Sequence, residues 1–281
     1  MCALYGKMYL RRNLSNIQLN HNVIYDIINK RSDFMNNPVL VIEDDFSHAW
    51  AKAIIELSDN SWDAWNFVVT INNPSITNND AISMLTKFAE SKGLITPSRV
   101  QHTIFPSRYY KEDKIKNREK LYKYYNRFYS LTRHQPHSGW GTYFKRMISY
   151  KTQDGEMYDQ LGNIIDHINN RKNNFGAAHF MVIPQIGAES NRKMGSPCLN
   201  YVTIQVEKNE EDRIINLLAV YRNHDYRERT FGNYWGLCDL LKYICKETDS
   251  SVGSVTCISS HAYVSNNKTE LLKIAREILG E

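Results

Sequence analysis

The chain has 281 residues, 42% of them hydrophobic, and a formal net charge of +5. That length holds one large or two small domains with a sizeable core, and five cysteines, an odd number in a chain this long, exclude a disulfide framework. No apolar run reaches membrane-spanning length and no signal-peptide core opens the chain, so the expectation is a cytoplasmic protein with reduced thiols and no membrane partner.

In chain order, residues 1–37 read as a polar, Asn-rich N-terminal extension ahead of one domain spanning 38–281. Val39-Leu40-Val41-Ile42 reads as a short buried strand or the lead into a helix. From Asp45 to Leu57 the residues Phe46, Trp50, Ala53, Ile54 and Leu57 recur at helical spacing. Phe67–Ile71 is a strand ended by Asn72-Asn73-Pro74. Asn78 or Asn79 caps a helix carrying Ile82, Met84, Leu85 and Phe88, and Gly93 ends it. Val100–Phe105 reads as a further strand. Glu112–Thr132 is a long helix with Leu121, Tyr125, Phe128 and Leu131 as its apolar face. The glycines of Gly139-Trp140-Gly141 mark a turn.

Tyr158–Asn169 is a helix with Leu161, Ile164, Ile165 and Ile168 inward, Ala178–Pro184 is strand-like, and Gln185–Gly195 is a polar loop. Tyr201–Val206 and Ile214–Tyr221 are strands joined by a charged turn. Tyr234–Lys246 is a helix, Val252–Ser259 a strand and Lys268–Leu279 a last helix. Strands and helices mix without strict alternation, which predicts an α+β fold with a mixed sheet and flanking helices.

Much of the positive charge lies in Lys111–Arg133, a helix whose basic face reads as solvated, with nucleic-acid contact the weaker alternative. Cys238 and Cys245 lie seven apart, on one helix face, and with Cys257 are assigned to core packing. His134, His137, His167 and His179 have no metal-ligand spacing, so no metal site is expected.

The chemistry concentrates in the C-terminal third. Cys198 stands in Gly195-Ser196-Pro197-Cys198-Leu199-Asn200. After it come Tyr221-Arg222-Asn223-His224-Asp225, Phe231-Gly232-Asn233 and His261-Ala262-Tyr263. A thiol, an arginine, a carboxylate, an amide and a His-x-Tyr pair suit nucleophilic attack on a pyrimidine. Carbon 5 of that ring is too weakly nucleophilic for a mild electrophile. A thiolate added at carbon 6 makes an enolate centred on carbon 5, and the thiolate needs a nearby cation, for which Arg222 is the candidate. Donors must also stabilise charge on the ring carbonyls. An Asn reads a uracil edge and an Asp would suit cytosine better. His261 and Tyr263, two apart on a strand end, share a face.

These residues, in this order, resemble the thymidylate synthase superfamily over about Asp159–Tyr263. Asp159-Gln160 with its Ile-rich helix is similar to the helix before the family's active-site loop. Pro197-Cys198-Leu199 is similar to its nucleophile motif in the form of archaeal-type members. Arg222-Asn223-His224-Asp225 resembles the family's Arg-Ser-x-Asp, and Asn233 falls at the family's interval. The resemblance implies a thymidylate-synthase-like single domain and a homodimer with sheets back to back. It makes Cys198 the nucleophile, with Arg222 activating it and touching a substrate phosphate. Asn223 stands for the phosphate-binding Ser, Asp225 holds the folate and base site, Asn233 reads the base, and His261 and Tyr263 bind the sugar. The implied one-carbon donor is 5,10-methylenetetrahydrofolate, and the substrate a pyrimidine nucleotide or nucleoside.

The sequence also departs from that pattern. The family's Arg-Arg pair, which reaches the partner's substrate phosphate, falls on Asn173-Asn174-Phe175-Gly176-Ala177-Ala178. Arg171-Lys172 and Arg192-Lys193 are the nearest substitutes. Gly232 intervenes between Phe231 and Asn233, Arg227 and Arg229 add charge, and the short apolar tail that closes over folate is missing. The expected function is transfer of a methyl or hydroxymethyl group to carbon 5 of a pyrimidine. The alternative is a non-catalytic nucleotide-binding sensor that keeps the fold.

Overall fold

In the strand β2 (Asp63–Ile71), Ala64, Phe67, Val69 and Ile71 turn inward while Val68 and Thr70 turn outward. Asn66, at φ 54°, breaks the alternation and drops out of the pairing with the neighbouring strand. The same in-out pattern runs through β1 (Val39–Glu43), β6 (Leu199–Lys208), β7 (Arg213–Tyr221) and β9 (Ser251–Tyr263). One mixed sheet results, in the order β1-β2-β9-β7-β6-β5, with β5 at His179–Val182. A two-residue strand, β8 (His224–Asp225), pairs in parallel with the end of β9.

The computed structural model describes residues 38–110, 117–132, 139–170, 176, 179–185, 187, 189, 195–208 and 212–281. All belong to the unit Pro38–Glu281. The expected extension 1–37, Arg171, Arg192 and most of the stretch aligned with the arginine pair lie outside the described residues. The fold is α+β, with helices flanking a mixed sheet. No helix among the described residues is long and apolar enough to cross a membrane.

The inward face is roofed by α1 (Phe46–Asp59) and α7 (Thr230–Glu247), and α8 (Lys268–Leu279) packs on α1. Trp50 is fully buried and donates from Nε1 to the Tyr226 carbonyl at 3.1 Å, while Phe231 meets it edge-on. The helix α2 (Asn79–Ser91) starts where the Asn78 side chain accepts from the Ala81 N–H at 3.0 Å. The expected inward row Leu161, Ile164, Ile165 and Ile168 is buried on α6 (Gln160–Asn170).

Several expectations are corrected. Val100–Phe105 is no strand but most of the helix α3 (Pro97–Ile104), with Pro97 in its first turn, where the missing N–H costs nothing. Helix α3 lies against α7 at Gly232 and Gly236. A Cβ at Gly232 would come within 2.6 Å of the Pro97 carbonyl oxygen, and one at Gly236 within 2.8 Å of Ile104 Cβ. Gly232 between Phe231 and Asn233 is thus a close-packing residue. The long helix α4 (Arg118–Thr132) buries Leu121 and Tyr125, yet Leu131 is 76% exposed. The turn around Gly141 leads into a short helix, α5 (Tyr143–Ile148), capped by Thr142 Oγ1 on the Lys145 N–H. A small hairpin, β3 (Tyr150–Lys151) with β4 (Met157–Tyr158), follows. Strand β9 continues through Tyr263, four residues beyond the expected end, and α7 begins four residues earlier than expected.

Candidate functional site

Strand order brings the chemistry-bearing residues to one end of the sheet. Cys198 is the residue before β6, and Arg222 the residue after its antiparallel neighbour β7. The Arg222 N–H donates to the Cys198 carbonyl at 2.9 Å. Because β7 and β9 are parallel, Tyr221 stands beside Ser259, so His261 and Tyr263 project just beyond. Strand β8 sets Asp225 beside Tyr263. Strand β2 runs the other way, so its first residues, Asp63 and Trp65, pair with Tyr263 and His261.

Cys198 is partly buried. Burial pushes its thiol above the ordinary range, Arg222 and Arg229 pull it down, and Asp225 pushes it up again. Desolvation is the largest of these effects, so the thiol is protonated near neutral pH. The guanidinium of Arg222 does not pair with Asp225. Its Nε donates to the Pro197 carbonyl at 3.1 Å and its Nη2 to the Ser196 carbonyl at 3.3 Å, which ties it to the turn that carries the thiol. That turn is tied to a largely buried ion pair, Arg146 Nη2 to Glu189 Oε1 at 2.6 Å, by Ser196 Oγ donating to the Glu189 carbonyl. Tyr143, buried on α5, lies within electrostatic reach of Cys198, and backbone N–H groups of Leu199 and Cys198 bond its hydroxyl. Its hydroxyl pKa is nevertheless raised, chiefly by burial.

Asp225 is also raised, first by burial. The Arg227 N–H bonds Oδ1 at 2.9 Å, and Arg227 and Arg229 favour the carboxylate. At the rim, Asn223 Oδ1 faces His261 Nδ1 at 2.7 Å, and Asp63 Oδ2 faces His261 Nε2 at 2.9 Å. Both ring nitrogens thus meet side-chain oxygens. Trp65 stacks on this ring with centroids 4.6 Å apart, and Tyr263 with centroids 5.3 Å apart. Asn223 also bonds the Tyr263 hydroxyl, whose pKa is raised by burial.

A cavity of about 420 Å³ lined by described residues lies elsewhere and does not include Cys198. Compared with known proteins, the chain matches no family model and no curated sequence. The site therefore rests on geometry.

One of the expected residues behaves differently from the rest. Asn233 lies in the first turn of α7, 3% exposed, and its amide donates to His224 Nε2 at 2.9 Å. His224 Nδ1 in turn meets Ser259 Oγ at 2.9 Å, and the ring stacks on Tyr221 at 4.0 Å. Burial drives the His224 pKa down to about 3, so the ring is neutral. Asn233 is thus joined to a buried network under the site. Sequence reasoning missed Asp63, Trp65, Tyr143, Arg146 and Glu189. The aromatic run Trp62-Asp63-Ala64-Trp65 at the start of a strand was a usable signal for the first pair. The others depend on long-range contacts that no local pattern encodes. Cys238, Cys245 and Cys257 are buried, as expected, with burial raising each thiol, Cys245 to about 12.

Proposed function

We propose that the chain is a thymidylate-synthase-like enzyme that transfers a one-carbon unit, methyl or hydroxymethyl, to carbon 5 of a pyrimidine nucleotide or nucleoside. One observation carries this reading. The Cys198 thiol sits among the charges of Arg222, Arg229 and Asp225, at the same sheet end as the Asn223–His261–Tyr263 chain. In the reaction, Cys198 as thiolate bonds carbon 6, and the ring's π pair moves to form an enolate with a nucleophilic carbon 5. Carbon 5 bonds the incoming carbon and loses its proton, and breakage of the sulfur–carbon 6 bond returns the thiolate. Bound 5,10-methylenetetrahydrofolate would supply that carbon and, for a methyl product, the hydride, water taking the hydride's place for hydroxymethyl. The second oxygen of Asp225, with no hydrogen bond among the described residues, fits the N–H edge of such a heterocycle. Arg222, Arg227 and Arg229 gather three guanidiniums in eight residues, a charge density suited to a substrate phosphate where the arginine pair is missing.

A homodimer belongs to the same reading. On the outward face, register aligns Leu40, Val68, Ile258, Val220 and Tyr201 in one row across the sheet. Leu40 is 62% and Phe180 53% exposed, which is costly for a monomer and suits sheets packed back to back. Light scattering after size exclusion should return twice the chain mass, and Leu40→Asp should shift it to monomer.

A second reading, a nucleotide-binding sensor without turnover, is favoured by the raised Cys198 thiol. The two part in one experiment: tritium release from carbon 5 of labelled uracil and cytosine nucleotides. Release that Cys198→Ser abolishes supports the enzyme. Saturable nucleotide binding without release supports the sensor.

A further inference from the structure

Away from Cys198, a cavity of about 420 Å³ opens between α3, the Ser107-Arg108 turn, Leu131 of α4 and Trp235 of α7. Its volume falls within the usual range of small-molecule sites. His102 forms part of its wall. The residue is 6% exposed, and both ring nitrogens are buried away from the cavity with no hydrogen-bond partner among the described residues. Such an imidazole is a cost to the fold and gives a ligand no donor, so His102 shapes the wall and the charged neighbours do the binding. Burial, and secondarily the charge of Arg108, push its pKa down to about 4, so the ring is neutral.

The groups around it are of one kind. Arg99 and Arg108 border the cavity, and neither has a carboxylate partner among the described residues. Ser107 Oγ accepts from Gln101 Nε2 at 2.8 Å, which leaves its own proton to donate. The carboxylate of Asp239, which shares Gln101, is held by Gln101 Nε2 and Lys242 Nζ, each at 2.8 Å. Trp235 and Leu131 supply apolar surface.

We propose that this cavity binds a small organic phosphate or carboxylate. The anion lies between Arg99 and Arg108 and accepts from Ser107, and the apolar part of the ligand rests against Trp235. Two guanidiniums with no carboxylate partner among the described residues, beside a hydroxyl free to donate, are the donor set such an anion requires. The site is independent of the pyrimidine reading, since Cys198, Arg222 and Asp225 are not among its lining residues.

The test is calorimetric titration of the full chain with phenyl phosphate, benzoate and inorganic phosphate. Phenyl phosphate should bind saturably and about tenfold more tightly than inorganic phosphate, the gain coming from the apolar wall. Benzoate saturating more tightly instead would assign the carboxylate. Arg99→Ala and Arg108→Ala should each abolish binding, and Cys198→Ser and Arg222→Ala should leave it intact. The two arginine variants should keep the wild-type melting temperature, which separates loss of ligand from loss of fold. No saturable binding, binding that survives both Arg99→Ala and Arg108→Ala, or binding that Arg222→Ala destroys would overturn the proposal.

Discussion

His224 and His261 sit at the same end of the sheet, on strands that pair with each other, and do opposite things. His224 is buried, neutral, stacked on Tyr221 and bonded to Asn233 and Ser259. His261 is at the rim between Asn223 and Asp63, with Trp65 over its face. The network around the first holds the end of the sheet in place, and the chain around the second presents donors and charge outward. Cys198 lies between these two regimes, partly buried and close to arginines, and its thiol takes its pKa from both.

Breaking the inner region should cost most. His224→Ala removes the ring from Tyr221 and orphans both Asn233 and Ser259, for ~3 kcal/mol of stability in urea denaturation. His261→Ala, at a solvent-facing contact, should cost ~0.5 kcal/mol or less. Equal losses would erase the distinction.

Next in size is α3 against α7, the support beneath the Asn233 turn. Gly236→Ala puts a methyl against Ile104 and the Gln101 carbonyl, and should cost ~1–3 kcal/mol in the same measurement.

Acid should single out the buried rings. His224 and His102 are depressed in the folded state, to about 3 and about 4. The unfolded chain therefore binds their protons first as pH falls. Their contribution is complete above the ordinary histidine pKa of about 6.5 and is lost on acidification, at up to about 1.4 kcal/mol per pH unit for each ring. Wild type minus His102→Phe isolates one of them, and the variant's stability curve should be flatter between about pH 6.5 and pH 4.

The smallest effect belongs to the thiol. Since burial outweighs the arginines, Cys198 alkylation by iodoacetamide should climb steadily from pH 7 past pH 9, and Arg222→Gln should slow it about threefold at pH 8. A thiol that already reacts at full rate at pH 7 would contradict the balance of burial and charge described for it.

The sheet and most helices were legible because their periodicities are clean. Leu161, Ile164, Ile165 and Ile168 mark one face of α6, and the alternation in Ile214–Tyr221 marks a half-buried strand. The segment at α3 misled because Val100, Thr103 and Ile104 resemble a strand, while the decisive features are Pro97 and two glycines far along the chain at 232 and 236. At the site, the order Cys198, Arg222, Asp225, His261, Tyr263 could be read directly, since each sits at or beside a strand end. What each side chain bonds to could not. Arg222 turning to the Pro197 carbonyl, Asn233 turning to His224, and Asp63 meeting His261 all follow from strand register, which joins residues distant in sequence.

The central claim is that Cys198 is a nucleophile toward a pyrimidine ring. Its most direct test is intact-mass measurement after incubation with 5-fluoro-2′-deoxyuridine, its 5′-monophosphate and the matching cytosine compounds, each with methylenetetrahydrofolate. The account predicts a covalent mass increase with one of these ligands in the wild type and none in Cys198→Ser. A wild-type protein that binds one of them reversibly and never gains mass would contradict it.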